Sequence, residues 1–196
     1  MTNRTVFRRG SWDPAAFEYI YSPKFPATPR FVQQDDCIVN GGTPGAYEYI
    51  SLITRRTFRT GTLLTLRCSF EKYGAPLIVL TDDVRQGEAG ELRFGRHMEI
   101  VAYEGGVNVW KLTPLKNDVR PENLLRQKFP VPAGKPITLT VRPGKGRLDI
   151  SLGGNRFSVE ADCVPEEFHA GMTACEGINR FYEFSTDEPA CGEAQI

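Results

Sequence analysis

The sequence has no surplus of either charge: 24 Lys and Arg stand against 24 Asp and Glu, a formal net charge of zero. Proteins held on nucleic acid or on anionic membranes by bulk electrostatics carry a basic excess, so neither partner is expected here. No apolar run approaches the roughly 18 residues that cross a bilayer. Behind Arg4, Arg8 and Arg9 there is no apolar segment of the kind that makes a secretory leader. A cytoplasmic protein is the expectation. Cysteine is sparse and scattered: Cys37, Cys68, Cys163, Cys175 and Cys191 form no Cys-x-x-Cys pair. That spacing gives no zinc knuckle and no thioredoxin-type redox site, and it predicts reduced cysteines that pack as small apolar groups. Gly-x-Ser-x-Gly, the P-loop and Gly-x-Gly-x-x-Gly are also missing, which leaves hydrolase-elbow, NTPase and dinucleotide chemistry unsupported. Helical periodicity is scarce as well.

What is abundant is glycine and proline, 19 and 14 residues. They fall at 41–45, 74–76, 105–106, 143–146 and 153–154, between short runs that alternate with period two. Leu63–Phe70 alternates cleanly, with Leu64, Leu66, Cys68 and Phe70 on one side and Thr65, Arg67 and Ser69 on the other. Leu77–Thr81 is almost continuously apolar, the pattern of a buried strand. Further strands are expected over Ala46–Thr57, Glu91–Phe94, Met98–Tyr103, Val107–Leu112, Pro136–Val141, Arg147–Leu152, Asn155–Glu160, Ala170–Cys175 and Arg180–Ser185. Gly105-Gly106 and Pro143-Gly144-Lys145-Gly146 read as hairpin turns. Two short helical turns complete the reading. One begins at Asp13-Pro14, with Asp13 as cap and Pro14 in the first helical position; the other spans Pro121–Lys128. Thr113–Pro132 is then the longest stretch without a strand, and His169 falls in a loop. No repeat or linker divides residues 1–196, so one all-β domain is expected, a sandwich or barrel of about ten or more strands.

Three segments carry a family resemblance: TLLTLRCSFEKYGAPLIVLTDD, KPITLTVRPGKGRLDISLGGNRFSVE and FHAGMTACEGINRFYEFSTDE. They resemble the paired central strands, the late hairpin and the closing strands of the concanavalin A-like lectin/glucanase jelly rolls, most of all in the bacterial members. The resemblance implies a two-sheet antiparallel jelly-roll sandwich with a glycoside bound on the concave sheet or its rim, and in some members hydrolysis or lysis. The Glu-x-Asp-x-x-Glu strand of the glucanase branch is not matched; the nearest run is His97–Glu104. The metal-binding Asp and Asn pattern of legume lectins is not matched either.

Alternation places Glu99, Val101 and Tyr103 on one strand face, joined by His97 if the strand extends. A carboxylate, an imidazole and a phenol side by side can bind a sugar or act as acid and base; a solvated strand face gives the same pattern. Asn108 and Trp110 share a face of the next strand, an aromatic platform beside a hydrogen-bonding amide; Trp110 fits a core position equally well. Glu71 ends a strand and is the second candidate acid, so the catalytic set is Glu99, Glu71 and His97. Trp110, Asn108, Tyr103, Arg55 and Glu104 form the candidate binding set, Arg55 suiting an acidic sugar. With Asp82 and Asp83, the glutamates at 71, 99 and 104 would make a locally acidic groove on a neutral protein. Acids at strand ends also suit a structural calcium, or simply a turn; no other cofactor is expected. Two function classes remain: a carbohydrate-binding or carbohydrate-cleaving jelly roll taking a glycoside, and a non-catalytic interaction module or homo-oligomer subunit.

Overall fold

The computed structural model describes residues 2–26, 30–41, 48–71, 73–116 and 118–189. In chain order the first strands are β1 (Thr2–Val6), β2 (Phe17–Ile20), β3 (Val32–Gln33), β4 (Ile38–Val39), β5 (Tyr49–Thr54) and β6 (Phe58–Arg59). They are followed by β7 (Leu63–Glu71), β8 (Ala75–Thr81), β9 (Val84–Gln86), β10 (Leu92–Phe94), β11 (His97–Tyr103) and β12 (Gly106–Pro114). The last are β13 (Val119–Lys128), β14 (Ile137–Gly144), β15 (Arg147–Leu152), β16 (Asn155–Glu160), β17 (Glu167–Cys175) and β18 (Ile178–Asp187). One sheet runs β16-β15-β14-β7-β18-β4-β3 with β1 added on β18. The other runs β13-β12-β11-β8-β17-β5-β2, and β6 pairs with β17. All these pairings are antiparallel.

The main core fills the space between the sheets. β7 contributes Leu64, Leu66, Cys68 and Phe70, β11 contributes Met98, Ile100 and Ala102, and β17 contributes Phe168, Ala170, Met172 and Ala174. These are alternate residues of each strand, as a pleated strand with one face inward requires. β8 departs from that rule for a visible reason. Ile78 and Leu80 enter the main core, whereas Leu77 and Val79 join a second cluster with Ile20, Tyr49, Ile53, Phe94 and Val101. That second cluster lies on the outer face of the β11–β8–β17–β5 sheet, where the β9–β10 hairpin covers it. A strand covered on both faces reads as a continuous apolar run.

Arg93 ties this cover down. Its Nη1 donates to the carbonyls of Ser22 (2.7 Å) and Phe25 (2.8 Å), while Phe94 N donates to the Tyr21 carbonyl (2.9 Å). The segment leaving β2 and the β9–β10 hairpin thus form one layer over the outer face. Among the described cysteines Cys37, Cys68, Cys163 and Cys175 are free thiols; Cys191 lies outside the described residues.

Asp13 caps a single turn of 3-10 helix over Pro14–Ala16, its carboxylate accepting from Ala15 N at 2.9 Å. The second expected helical turn is a strand instead. Pro121–Lys128 belongs to β13, which pairs with β12 along its length. Its helix-forming Glu, Leu, Gln and Lys residues yield to the ladder offered by β12, and Pro121 is tolerated because β13 is an edge strand. Thr113–Pro132 is accordingly a hairpin and not an insertion. His169 likewise lies within β17, opposite Thr81 of β8. The Ala46–Thr57 run shortens to β5, which ends at Thr54, with Arg55 and Arg56 in a bend and Ala46 and Tyr47 outside the described residues.

Candidate functional site

The outer face of β11 and β12 collects most of the expected site residues. The register sets Glu99 opposite Trp110, Val101 opposite Asn108 and His97 opposite Leu112. On the far side of β12 the ladder to β13 slips between Val109 and Trp110, passing from Leu125 to Asn123 and leaving Leu124 as the extra residue. A bulge here adds local twist and re-aims neighbouring side chains. Burial falls away across this face. Val79 of β8 is fully covered by the hairpin layer, whereas Asn108, Trp110 and Tyr103 are half-buried. The Tyr103 ring packs over Gly105, where an added Cβ would sit 2.6 Å from Cε2.

Glu99 and His97 lie beneath the cover, 7% and 2% exposed. The Tyr49 hydroxyl, reaching from β5, donates to Glu99 Oε1. Burial first, and then the negative charge of Glu99, push the Tyr49 phenol well above its ordinary range, so the donor keeps its proton. Phe25 stacks on Tyr49 with centroids 5.4 Å apart. The His97 ring stacks on Phe94 at 4.3 Å, and its Nδ1 donates to the Gly95 carbonyl at 2.9 Å. A carbonyl can only accept, so this bond fixes the tautomer and turns Nε2 toward Glu99 Oε1 at 3.5 Å. Nε2 and the Oδ1 of Asn108 are buried with no hydrogen-bond partner.

The other expected residues go elsewhere. Glu71 ends β7 in the opposite sheet and pairs with Arg180 at 2.6 Å. Arg55 is at the β2 edge, ion-paired with Glu18 and donating Nε to the Ala15 carbonyl at 2.8 Å. Glu104 is exposed in the β11–β12 turn, where its carbonyl accepts from Val131 N. Asp83 is clamped by Arg85 at 2.7 Å and accepts from Arg96 N at 3.0 Å, which together hold its carboxyl below the ordinary range. Asp82 pairs with Arg96. The five acids are therefore dispersed and largely met by arginine, and no single acidic groove forms from them. Among the described residues no three His, Cys, Asp or Glu side chains come together as a metal site. Among the described residues no helix is long and apolar enough to cross a membrane.

Tyr49 was not among the expected site residues. It lies in an aromatic-rich strand, but the contact joins residues 50 apart in sequence, and no local pattern signals it. Phe94, Gly95 and Phe25 likewise enter the site only through the layer that folds over the sheet.

Known structures share this architecture. A Bacillus subtilis protein with a galectin-like fold superposes with a TM-score of 0.67 at 12% identity, over 95% of this chain and 94% of its own. The carbohydrate-binding module CBM66 from Bacillus subtilis gives 0.64 at 10% identity, over 88% and 96%. The Bacillus licheniformis β-glucanase gives 0.60 at 8% identity, over 96% and 98%. The fold is a concanavalin A-like jelly roll. No protein-family model and no curated protein sequence matches the chain, and at these identities the likeness is one of fold.

Proposed function

We propose that the protein binds a glycoside on the outer face of β11–β13. Trp110 serves as the stacking platform, and Asn108 and Tyr103 supply polar contacts beside it. The observation that carries this reading is the position of Trp110: half-buried, beside a bulge, at the margin where the hairpin layer ends. An indole face pairs with the C–H face of a pyranose, and an adjoining amide with its hydroxyls. Lectin-like and glycoside-processing neighbours of the same fold support carbohydrate as the ligand class. Glu99 is a positioning group in this scheme. Held by Tyr49 and facing His97, it anchors β11 directly opposite Trp110.

Binding without hydrolysis fits the geometry better than catalysis. Carboxylate-pair glycosidases need two acids roughly 5 to 10 Å apart across an accessible bond. Here Glu99 is covered, and the other candidate acid, Glu71, belongs to the other sheet and is engaged by Arg180. Isothermal titration with a panel of neutral oligosaccharides tests the proposal. At least one should bind, with Trp110→Ala weakening it tenfold or more, and no reducing ends should be released on long incubation. Absence of binding across the panel, or binding indifferent to Trp110→Ala, would remove this reading and favour the interaction-module alternative.

A further inference from the structure

The opposite sheet carries a second surface whose chemistry differs. On the outer side of β14, β15 and β16 the register builds two cross-strand rows. Thr65, Thr140, Ser151 and Arg156 form one, and Arg142, Asp149 and Ser158 form the next. Between them lies a groove of about 590 Å³, floored in part by Leu63 and Ile150. That is the size range of small-ligand sites.

Its charge is lopsided on a neutral protein: three guanidinium groups, from Arg142, Arg147 and Arg156, face one carboxylate, Asp149. Asp149 is already engaged, accepting from Ser158 Oγ at 2.5 Å and Arg147 Nη2 at 2.9 Å, and it is held below the ordinary carboxyl range by both. Glu160 sits opposite Arg147 at the rim, so Arg147 is the most neutralised of the three. Two cations remain available. Arg142 donates at 3.3 Å to the Gly61 carbonyl and meets the Asp149 charge only from across the strand pair, without a direct ion pair, and Arg156 makes no ion pair or hydrogen bond with the described residues. The Thr140 and Ser151 hydroxyls, in the same row as Arg156, are also without partners among the described residues. Strand spacing puts the Arg142 and Arg156 backbones roughly 12 Å apart, with Ser151 and Asp149 of β15 between them.

We propose that this groove is a binding site for an acidic oligosaccharide. Arg142 and Arg156 would take oxyanions on separate sugar residues, and Thr140 and Ser151 would bond ring hydroxyls along the Arg156 row. Guanidinium forks suit carboxylate and sulfate ester alike, and hydroxyls suit the polyol between the acids. A nucleic acid is a poorer fit, because this groove gathers only three arginines around a carboxylate and the whole chain is neutral. The site is separate from the Trp110 face and does not depend on it.

Calorimetric titrations of the full chain at low ionic strength would use oligogalacturonate for the carboxylate form and a heparin-derived tetrasaccharide for the sulfate form. A neutral tetrasaccharide and a short single-stranded DNA complete the set. At least one acidic saccharide should bind, more tightly than DNA, and whichever binds identifies the acid group. Arg142→Gln with Arg156→Gln should weaken it tenfold or more, as expected for loss of charged hydrogen bonds. Arg120→Gln, an exposed change on the other sheet, should alter it less than twofold. Matching unfolding temperatures for all variants would show that folding is not the cause. Failure of both acidic ligands, equal binding of DNA, or indifference to the arginine substitutions would each overturn the proposal.

Discussion

Tyr49→Phe isolates the contact that joins the two halves of the covered face. The substitution keeps the ring and its stacking on Phe25, and deletes only the hydroxyl that donates to Glu99. Tyr49 and Glu99 are 6% and 7% exposed, so water cannot readily replace the lost donor. Hydrogen bonds to charged groups contribute about 1.5–3 kcal/mol, and a buried acceptor left open retains most of its desolvation cost. A destabilisation of about 1.5–3 kcal/mol follows. For a chain of this size each kcal/mol shifts Tm by roughly 2–4 °C, so a fall of about 3–12 °C is expected. Glu99→Gln should be milder, because its amide oxygen still accepts from Tyr49. Urea denaturation of both single variants and the double variant closes a thermodynamic cycle, and a coupling above about 0.5 kcal/mol is expected for groups in contact. A Tyr49→Phe loss under about 0.5 kcal/mol, or strict additivity in the cycle, would refute the view that this bond is formed and shielded.

Three further outcomes are expected. Burial raises the titration of Tyr49, Cys68 and Cys175 above ordinary values near 10 for tyrosine and 9 for cysteine. The unfolded chain therefore releases these protons first as pH rises, so stability is full below about pH 8 and declines above about pH 9; Cys175→Ala should flatten the decline in urea midpoints measured from pH 7 to 10.5, and an unchanged slope would count against it. Arg93→Ala removes the donor to the Ser22 and Phe25 carbonyls, and should cost about 1–3 kcal/mol while speeding amide exchange in 21–25 and 84–94 over the rest of the chain. Uniform exchange with intact stability would mean the cover is held by apolar packing alone. Gly171→Ala places a Cβ 1.9 Å from the Leu52 carbonyl oxygen in the adjoining strand, so a loss of more than about 2 kcal/mol is expected, and a Tm within 2 °C of wild type would contradict the tight β17–β5 approach.

How far the strands were legible depended on what surrounds each one. β7, β11, β14 and β15 have one face on the main core, so their period-two pattern shows directly in sequence. β13 did not, because Pro121 and a run of helix-favouring residues imitate a helix start, and only the adjoining β12 supplies a reason to extend. The candidate site divides in the same way. His97, Glu99, Asn108 and Trp110 share a face because they alternate along two strands of one hairpin, and a hairpin is local. Glu71, Arg55 and Glu104 were grouped with them by charge, but they lie on other elements, where arginine, glutamate or solvent meets them.

By itself, then, the amino-acid order determined the all-β class, the turns punctuated by glycine and proline, and the face that bears Trp110. All of these follow from side-chain alternation and backbone preference over a few residues. The tertiary structure alone decided that Glu99 is covered and held by Tyr49, and that the β9–β10 layer closes half of its face. Each joins strands far apart in the chain or depends on sheet register, and register is set by burial of the whole sandwich rather than by any one segment.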